Sequence, residues 1–395
     1  MENFARFMNS SIISTAFISV FSARPDIVVR APGRINLIGE HTDYNGGLVL
    51  PAAIDKAIWF AAGRRNDGRF ALYAADLNEH FISEHQPLVF QKQFNWVNYL
   101  LGVFSEARKD GLEFGGLNLA FGGNVPLGAG LSSSAALESG AIFVLDAIYG
   151  LGLSQMDIIR LAQRGENNFV GMQCGIMDMF ASVMGRADSV IKLDCRNLDY
   201  EYIPLHMPDH SLVLFDSGVK HALVASEYNT RRRECEEGVA VLQRYYPDIS
   251  SLRDVSPDLL KAHENQFRPV VYKRCLYVVE EIARVDQACI ALRENDLPQL
   301  GRLMYQTHDG LDLAYEVSCP ELNFMVSAAR VNGAVIGSRM MGGGFGGCTI
   351  NLVKNEAVSA FTQTLDADYQ RVFGRKMNSY VVRPSNGIEV VDQKI

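Results

Sequence analysis

Two stretches of the chain concentrate groups that can handle phosphates and hydroxyls. The first runs Pro126-Leu127-Gly128-Ala129-Gly130-Leu131-Ser132-Ser133-Ser134-Ala135-Ala136 and closes on Glu138. It falls between an expected strand at 117–121 and an expected helix, whose first backbone N–H groups have no partner inside the helix. Glycines 128 and 130 let the backbone approach an anion closely, and the helix end carries about half a positive charge. On its own, the same loop also reads as a glycine turn with a serine cap. No GxxxxGK[ST] occurs in the chain, so phosphate binding here must work without the lysine of that motif. The second stretch is Arg30-Ala-Pro-Gly-Arg34-Ile-Asn36-Leu-Ile-Gly-Glu40-His41-Thr42-Asp43-Tyr44-Asn45. Glu40, His41 and Asp43 suit a hydroxyl-rich ligand, and Arg34 can face phosphate oxygens. The plainer alternatives are a satisfied structural histidine and two solvated loop carboxylates. A third feature is Asp178, the only charge among Ile176, Met177, Met179, Phe180, Val183 and Met184. An isolated carboxylate in apolar surroundings needs a partner or a role, and a charge at a helix N-terminus is the simplest one.

These groups must be held by an alternation of strands and helices. Residues 27–29 read as a strand, and 57–63 with 69–75 read as a hairpin turning at Asn66-Asp67-Gly68. The apolar spacing Leu137, Ala141, Val144, Leu145, Ile148 predicts a helix stopped at Gly150. Ser154-x-x-Asp157 opens another, and a further helix is expected over 176–184. Strands are expected at 190–193 and 212–215, long helices beyond Glu227, and strands again at 334–336, 349–353 and 379–382. The order predicts two lobes, 1–208 and 209–395, with no repeat or low-complexity linker between them. At the start, Phe4, Met8, Ile12, Ala16 and Val20 recur every four residues, as on one face of a helix. The interspersed serines argue against a secretory leader.

Composition bounds the partners. A net charge of −8 without a long Lys or Arg run gives no footprint for nucleic acid or an anionic membrane, and no apolar run reaches membrane-spanning length. Seven widely spaced cysteines with no CxxC pair fit reduced thiols in a cytoplasm, and the eight histidines show no zinc spacing. The run Arg231-Arg232-Arg233 is expected to be a solvated helix face paired with Glu234, Glu236 and Glu237. Gly342, Gly344 and Gly347 satisfy GxGxxG, but a strand is expected after them, which argues against a dinucleotide site.

Gly33 to Tyr44 resembles the diagnostic motif of galactokinases, and Pro126 to Glu138 resembles the ATP motif of the wider superfamily that also holds homoserine and mevalonate kinases. The superfamily's third motif is similar to Gly342-Gly343-Gly344-Phe345-Gly346-Gly347-Cys348-Thr349. The resemblance implies an α+β, two-lobed small-molecule kinase, with a mixed-sheet N-terminal lobe, an α/β C-terminal lobe and the active site between them. It implies transfer of phosphate from ATP to the C1 hydroxyl of galactose, with Arg34 and Asp178 as the catalytic pair, Asp178 coming from Cys174-Gly175-Ile176-Met177-Asp178. It assigns Glu40, His41, Thr42, Asp43, Gly175 and Tyr228 to the sugar, and Gly128, Ala129, Gly130, Leu131, Ser132, Ser133 and Ser134 to ATP. Ser134 and Glu166 fall to Mg2+, Trp96 is placed to stack on adenine or else to pack in the core, and the family is expected to be monomeric. Met179 stands where many galactokinases carry glutamine. Two rivals share the fold: a kinase for another C1-hydroxyl sugar such as N-acetylgalactosamine, and a sensor that binds galactose without turnover. The intact Ser134-Ala135 pair argues against the second.

Overall fold

The protein is described by a computed structural model covering residues 8–83, 87–126, 128–219 and 224–393. The first sheet is mixed and has the order β13-β1-β3-β6-β4-β5. It comprises β1 (Ile27–Asn36), β3 (Pro51–Arg65), β4 (Phe70–Ala74), β5 (Glu79–Ile82), β6 (Gly116–Gly123) and the last strand, β13 (Glu389–Gln393). A small second sheet joins β2 (Leu48–Val49) to β7 (Ser189–Asp194) and β8 (Tyr200–Pro204). The third has the order β10-β11-β9-β12, from β9 (His210–Asp216), β10 (Val335–Met341), β11 (Cys348–Lys354) and β12 (Asn378–Val382).

One face of the first sheet carries α2 (Asn95–Lys109), α3 (Ser133–Tyr149), α4 (Gln155–Arg164) and α5 (Met177–Met184), while α1 (Ser10–Phe21) covers the other face. The third sheet is backed by α9 (Leu297–Leu313), α10 (Pro320–Arg330) and α11 (Val358–Phe373). The long α8 (Pro269–Arg293) packs on α6 (Val224–Gln243), on the short α7 (Pro257–Ala262) and on the second sheet. The result is a two-lobed α+β architecture. Both expected helix boundaries are present: Gly150 closes α3 with φ 65°, and Ser154 and Asp157 cap the start of α4 reciprocally.

One sequence expectation fails here. β3 and β4 follow one another through the turn at 66–68, yet they are not paired: β6 lies between them, antiparallel to β3 and parallel to β4. The turn chemistry reports only that the chain reverses; which strand fills the gap is decided by a segment some fifty residues on, whose glycines allow close backbone contact. The helix expected at the start is present as α1, where Ile13 and Phe17 are buried with Met8 against Val28, Ala61 and Ala120, and Ile12 and Ala16 pack beside them. Phe4, the first residue of that spacing, lies outside the described residues.

Candidate active site

The loop of the first stretch, the end of β1, the start of α5 and the glycine turn between β10 and β11 converge on one cavity of about 400 Å³, ordinary for a small-molecule site. Arg34, near the end of β1, is buried and grips Asp178 with two parallel hydrogen bonds, Nε and Nη2 each donating at 2.7 Å. Its remaining Nη1 donates to the Gly130 carbonyl, which ties the pair to the glycine loop. Burial alone would weaken the Arg34 charge, but Asp178 outweighs it and the guanidinium holds its proton more firmly than in water. Asp178 sits in the first turn of α5, and the Ser132 hydroxyl also donates to it. Ser132, at the N-cap of α3, takes a left-handed φ of 54° and makes no capping bond. Its hydroxyl is spent on Asp178 instead, which the serine-cap reading does not anticipate.

The free N–H groups at the start of α3 therefore open onto the cavity, beside Gly128, Gly130, Leu131, Ser133 and Ser134. Ala129 is buried beneath this loop, and Leu127 lies outside the described residues. Opposite, Gly342 to Gly347 line the cavity. A side chain at Gly344 would stand 2.2 Å from the Val317 carbonyl, whose oxygen accepts from the Phe345 N–H at 2.6 Å, so the turn tolerates only glycine there. The strand expected after these glycines is present as β11, so this GxGxxG lacks the helix that a dinucleotide site needs.

Glu40, His41 and Asp43 meet at the other end of the cavity. Glu40 is 2 % exposed and accepts from Arg339 Nη1 at 2.7 Å and Asn36 Nδ2 at 3.2 Å. Arg339, on β10, is fully buried and also donates to the Leu37 and Asn36 carbonyls, so it fastens the polar stretch to the third sheet. His41 adopts φ 63°, and its Nδ1 shares a 2.8 Å hydrogen bond with the Tyr44 hydroxyl, which in turn meets Tyr315 at 2.8 Å. Burial pushes its imidazole down to about 4, so it is neutral at pH 7, and its Nε2 has no well-formed partner among the described residues. The Tyr228 ring, on α6, lies 5.3 Å from His41 and completes the wall. Burial, reinforced by the Asp178 charge, pushes the Asp43 carboxyl up to about 7.

Thr42 is turned away from this wall: its hydroxyl donates to the Gly39 and Leu48 carbonyls at 3.0 and 2.7 Å, and it does not line the cavity. Its place in the expected sugar set is corrected to holding the turn that carries its neighbours. Trp96 also falls outside the lining; its Nε1 donates to Glu79 at 2.6 Å and its ring packs against Phe121. Arg231 is not solvated as expected. It is buried, donates to the Tyr315 and Glu316 carbonyls at 2.8 and 2.9 Å, and lies 5.8 Å from the Phe345 ring. Arg232 does pair with Glu236, at 3.0 Å, while Glu237 pairs with Arg268.

Gly175 packs so tightly on Asp43 that a side-chain carbon would stand 1.8 Å from its Oδ2. Gly175→Ala is therefore expected to displace Asp43 and raise the KM for the cavity's ligand by about 10²-fold, the effect of a misplacement near 1 Å; steady-state kinetics check it. Asp43 also makes a pH prediction. Its folded pKa lies above its unfolded value, so from about pH 4 to pH 7 the folded state binds the extra proton and stability falls as pH rises. The melting-temperature advantage of Asp43→Asn over the parent chain should widen across that window and level off above it. A constant offset would contradict the assignment.

Glu166 sits on a π-helical turn, Gly165–Val170, that follows α4 directly. It is buried, with Ser134 and Glu138 against it and the Cys174 Sγ donating to it at 3.4 Å. Burial, reinforced by the Asp178 charge, pushes its carboxyl up to about 7. The cavity lining thus opposes the carboxyl groups of Glu40, Asp43, Glu166 and Asp178 to the single guanidinium of Arg34.

The galactokinase galactose-binding signature matches residues 15–64, and the N- and C-terminal domains of the GHMP kinases match 98–186 and 289–369. A galactokinase of Roseiflexus sp. (strain RS-1) is 42% identical over 93% of this chain and 94% of its own length. The chain belongs to the galactokinase family. The galactokinase of Bacillus subtilis (strain 168) is 39% identical over 94% of the chain and 96% of its own length. Among solved structures, Lactococcus lactis galactokinase complexed with galactose superposes with a TM-score of 0.92 at 34% identity, over 96% of this chain and 99% of that one. A mevalonate kinase of Methanococcus jannaschii shares the fold, with a TM-score of 0.65 at 17% identity, over 91% of this chain and 99% of that one. Membership makes the chain an ATP-dependent kinase of the galactokinase type. Among the described residues no helix is long and apolar enough to cross a membrane, and none of the seven cysteines is in a disulfide.

Arg339, Asn36 and Tyr315 had no assigned role in the sequence reading. Arg339 carried a usable signal, a lone charge in Val335–Met341, of the same kind that singled out Asp178. Tyr315 carried none, because its partners lie far away in the chain.

Proposed function

We propose that the chain transfers the γ-phosphoryl group of ATP directly to the C1 hydroxyl of galactose, with Asp178 as the group that receives the hydroxyl proton. The observation that carries this is the meeting of Arg34, Ser132 and Asp178 at the junction of the glycine loop and the Glu40–His41–Asp43 wall. Phosphoryl transfer asks for in-line positioning and charge stabilisation more than covalent help. The glycine loop and the α3 N-terminus hold the phosphates. Arg34 orients Asp178 and faces the transferred group. Glu40, Asp43 and the orphaned His41 Nε2 supply acceptors and a donor for sugar hydroxyls, with the Gly175 backbone and Tyr228 closing the pocket around them.

The residues present fit a hard divalent cation. Ser134 and Glu166 open together onto the cavity beside the glycine loop, and the Glu166 carboxyl is met by the Cys174 thiol and by no cationic side chain among the described residues. Ser134 and Glu166 would hold Mg2+, one hydroxyl and one carboxylate suiting an ion that keeps several waters. Bound there, it would screen the phosphate charge. Action in the cytoplasm, which the unpaired thiols fit, and a monomeric state, expected from the family resemblance, complete the reading.

ADP release over a panel of hexoses tests the reading. Turnover is expected with galactose and none with methyl α-galactoside, whose C1 oxygen carries no proton. Turnover of the methyl glycoside would move the acceptor elsewhere.

A further inference from the structure

Behind the Glu40–His41–Asp43 wall runs a chain of protic groups that the transfer itself does not use. His41 Nδ1 meets the Tyr44 hydroxyl at 2.8 Å, that hydroxyl meets the Tyr315 hydroxyl at 2.8 Å, and Tyr315 meets the Cys235 Sγ at 3.3 Å. His41, Tyr315 and Cys235 are buried, and of the four only His41 lines the cavity. The rings of Tyr44, Tyr228 and Tyr315 surround the imidazole at 5.9, 5.3 and 4.9 Å and hold its plane. A neutral imidazole carries one proton, and the hydrogen bond at one nitrogen decides which nitrogen that is. Each hydroxyl here gives one proton and takes one, so the chain runs in one of two directions and its ends choose between them. At the imidazole end the ring feels the Gly343 carbonyl of the glycine turn as an acceptor, too loosely placed for a well-formed hydrogen bond. Nδ1 is occupied by Tyr44, so the nitrogen facing that acceptor is Nε2, and a bare lone pair there would be repelled by it. At the far end, the reverse direction would direct the Tyr315 proton to sulfur, a weak acceptor. A proton on Nε2 suits both ends: Cys235 donates to Tyr315, Tyr315 to Tyr44, and Tyr44 to Nδ1.

We infer that Tyr44 and Tyr315 lock His41 as the Nε2–H tautomer and so make it a hydrogen-bond donor to the sugar. The inference rests on the reading that sets galactose against this wall. Glu40 and Asp43 bring carboxyl oxygens, which accept, whereas the hydroxyl that meets His41 must itself accept. Galactose is then recognised by the direction of its hydrogen bonds as well as by their positions. Tyr44 and Tyr315 are positioning residues, since they act on the ligand only through His41 and neither lines the cavity.

Nitrogen-15 spectra of histidine-labelled protein read the tautomer directly, and the resonances of His41 are assigned by their loss in His41→Gln. In the parent chain His41 is expected as the Nε2–H form alone, with its Nε2 signal moving when galactose is added. In Tyr44→Phe the two tautomers should mix. Tyr315→Phe leaves Tyr44 its proton but removes the group that directs it, so the same change is expected to a smaller degree, and this variant serves if Tyr44→Phe does not fold. Calorimetry with galactose deoxygenated or fluorinated at one carbon at a time reads the consequence, since fluorine accepts a hydrogen bond but donates none. At one carbon the deoxy sugar should bind about tenfold more weakly than the fluoro sugar, because a buried donor is left without an acceptor, and Tyr44→Phe should narrow that gap. An Nδ1–H tautomer in the parent chain, or an Nε2–H form that persists unmixed in both variants, overturns the inference and leaves the sugar wall standing. Equal losses for the fluoro and deoxy sugars at every carbon overturn the donor role. If galactose binds and leaves the His41 signals unmoved, the wall reading fails and this inference with it.

Discussion

Asp178→Asn is expected to lower kcat by about 10³- to 10⁴-fold while galactose still binds, the upper range for losing a general base. The asparagine has the shape of the aspartate and can keep one acceptor toward Arg34, so the fold around α5 should survive. What it cannot do is take a proton. The remaining rate would come from positioning by the glycine loop and the sugar wall, which the substitution leaves in place. Kinetics in which KM for galactose changes little and kcat collapses would match this account. Turnover within a few-fold of the parent chain would remove Asp178 from the chemistry.

Arg34→Gln should cost about as much or more, on the scale of about 10³ to 10⁵ seen for arginines that meet a transferring phosphoryl group. Its guanidinium makes three contacts at once, two to Asp178 and one to the Gly130 carbonyl, and no other cation lines the cavity among the described residues. Arg34→Lys keeps the charge but not the planar fork, and a single ammonium cannot reproduce the paired hydrogen bonds. It is expected to recover only a small part of the lost rate. Full recovery by lysine would mean that charge alone matters and that the geometry of the pair is incidental.

Much of the site was legible in the chain because its parts are local. Glycines 128 and 130, the serines after them and the helix that follows are neighbours in sequence, and their physics is that of a helix start. Asp178 stood out as a charge among apolar residues, and its partner proved to be the arginine of the first motif. The parts that were misread depend on distant segments. The turn at 66–68 cannot report that β6 will slip between its two strands. Thr42 carries a hydroxyl suited to a sugar, yet the Leu48 and Gly39 carbonyls claim it first. For Arg231 the periodicity held an unused clue: three consecutive helical residues point some 100° apart in turn, so the three arginines spread over more than half of the helix circumference and do not share one face. Its partners, the carbonyls at 315 and 316, lie more than eighty residues on. Glu138 closed the recognised stretch, and its spacing of three and seven residues from Ala141 and Leu145 set it on the expected apolar face, a clue to its burial that went unused.

The central claim is a single direct transfer with Asp178 as the base and no phosphorylated protein intermediate. ATP made chiral at its γ-phosphorus with oxygen isotopes tests it most directly, by reading the configuration of the phosphate delivered to galactose. One in-line displacement inverts that centre, and inversion is the predicted result. Retention would require two displacements through a phosphoenzyme and would contradict the account.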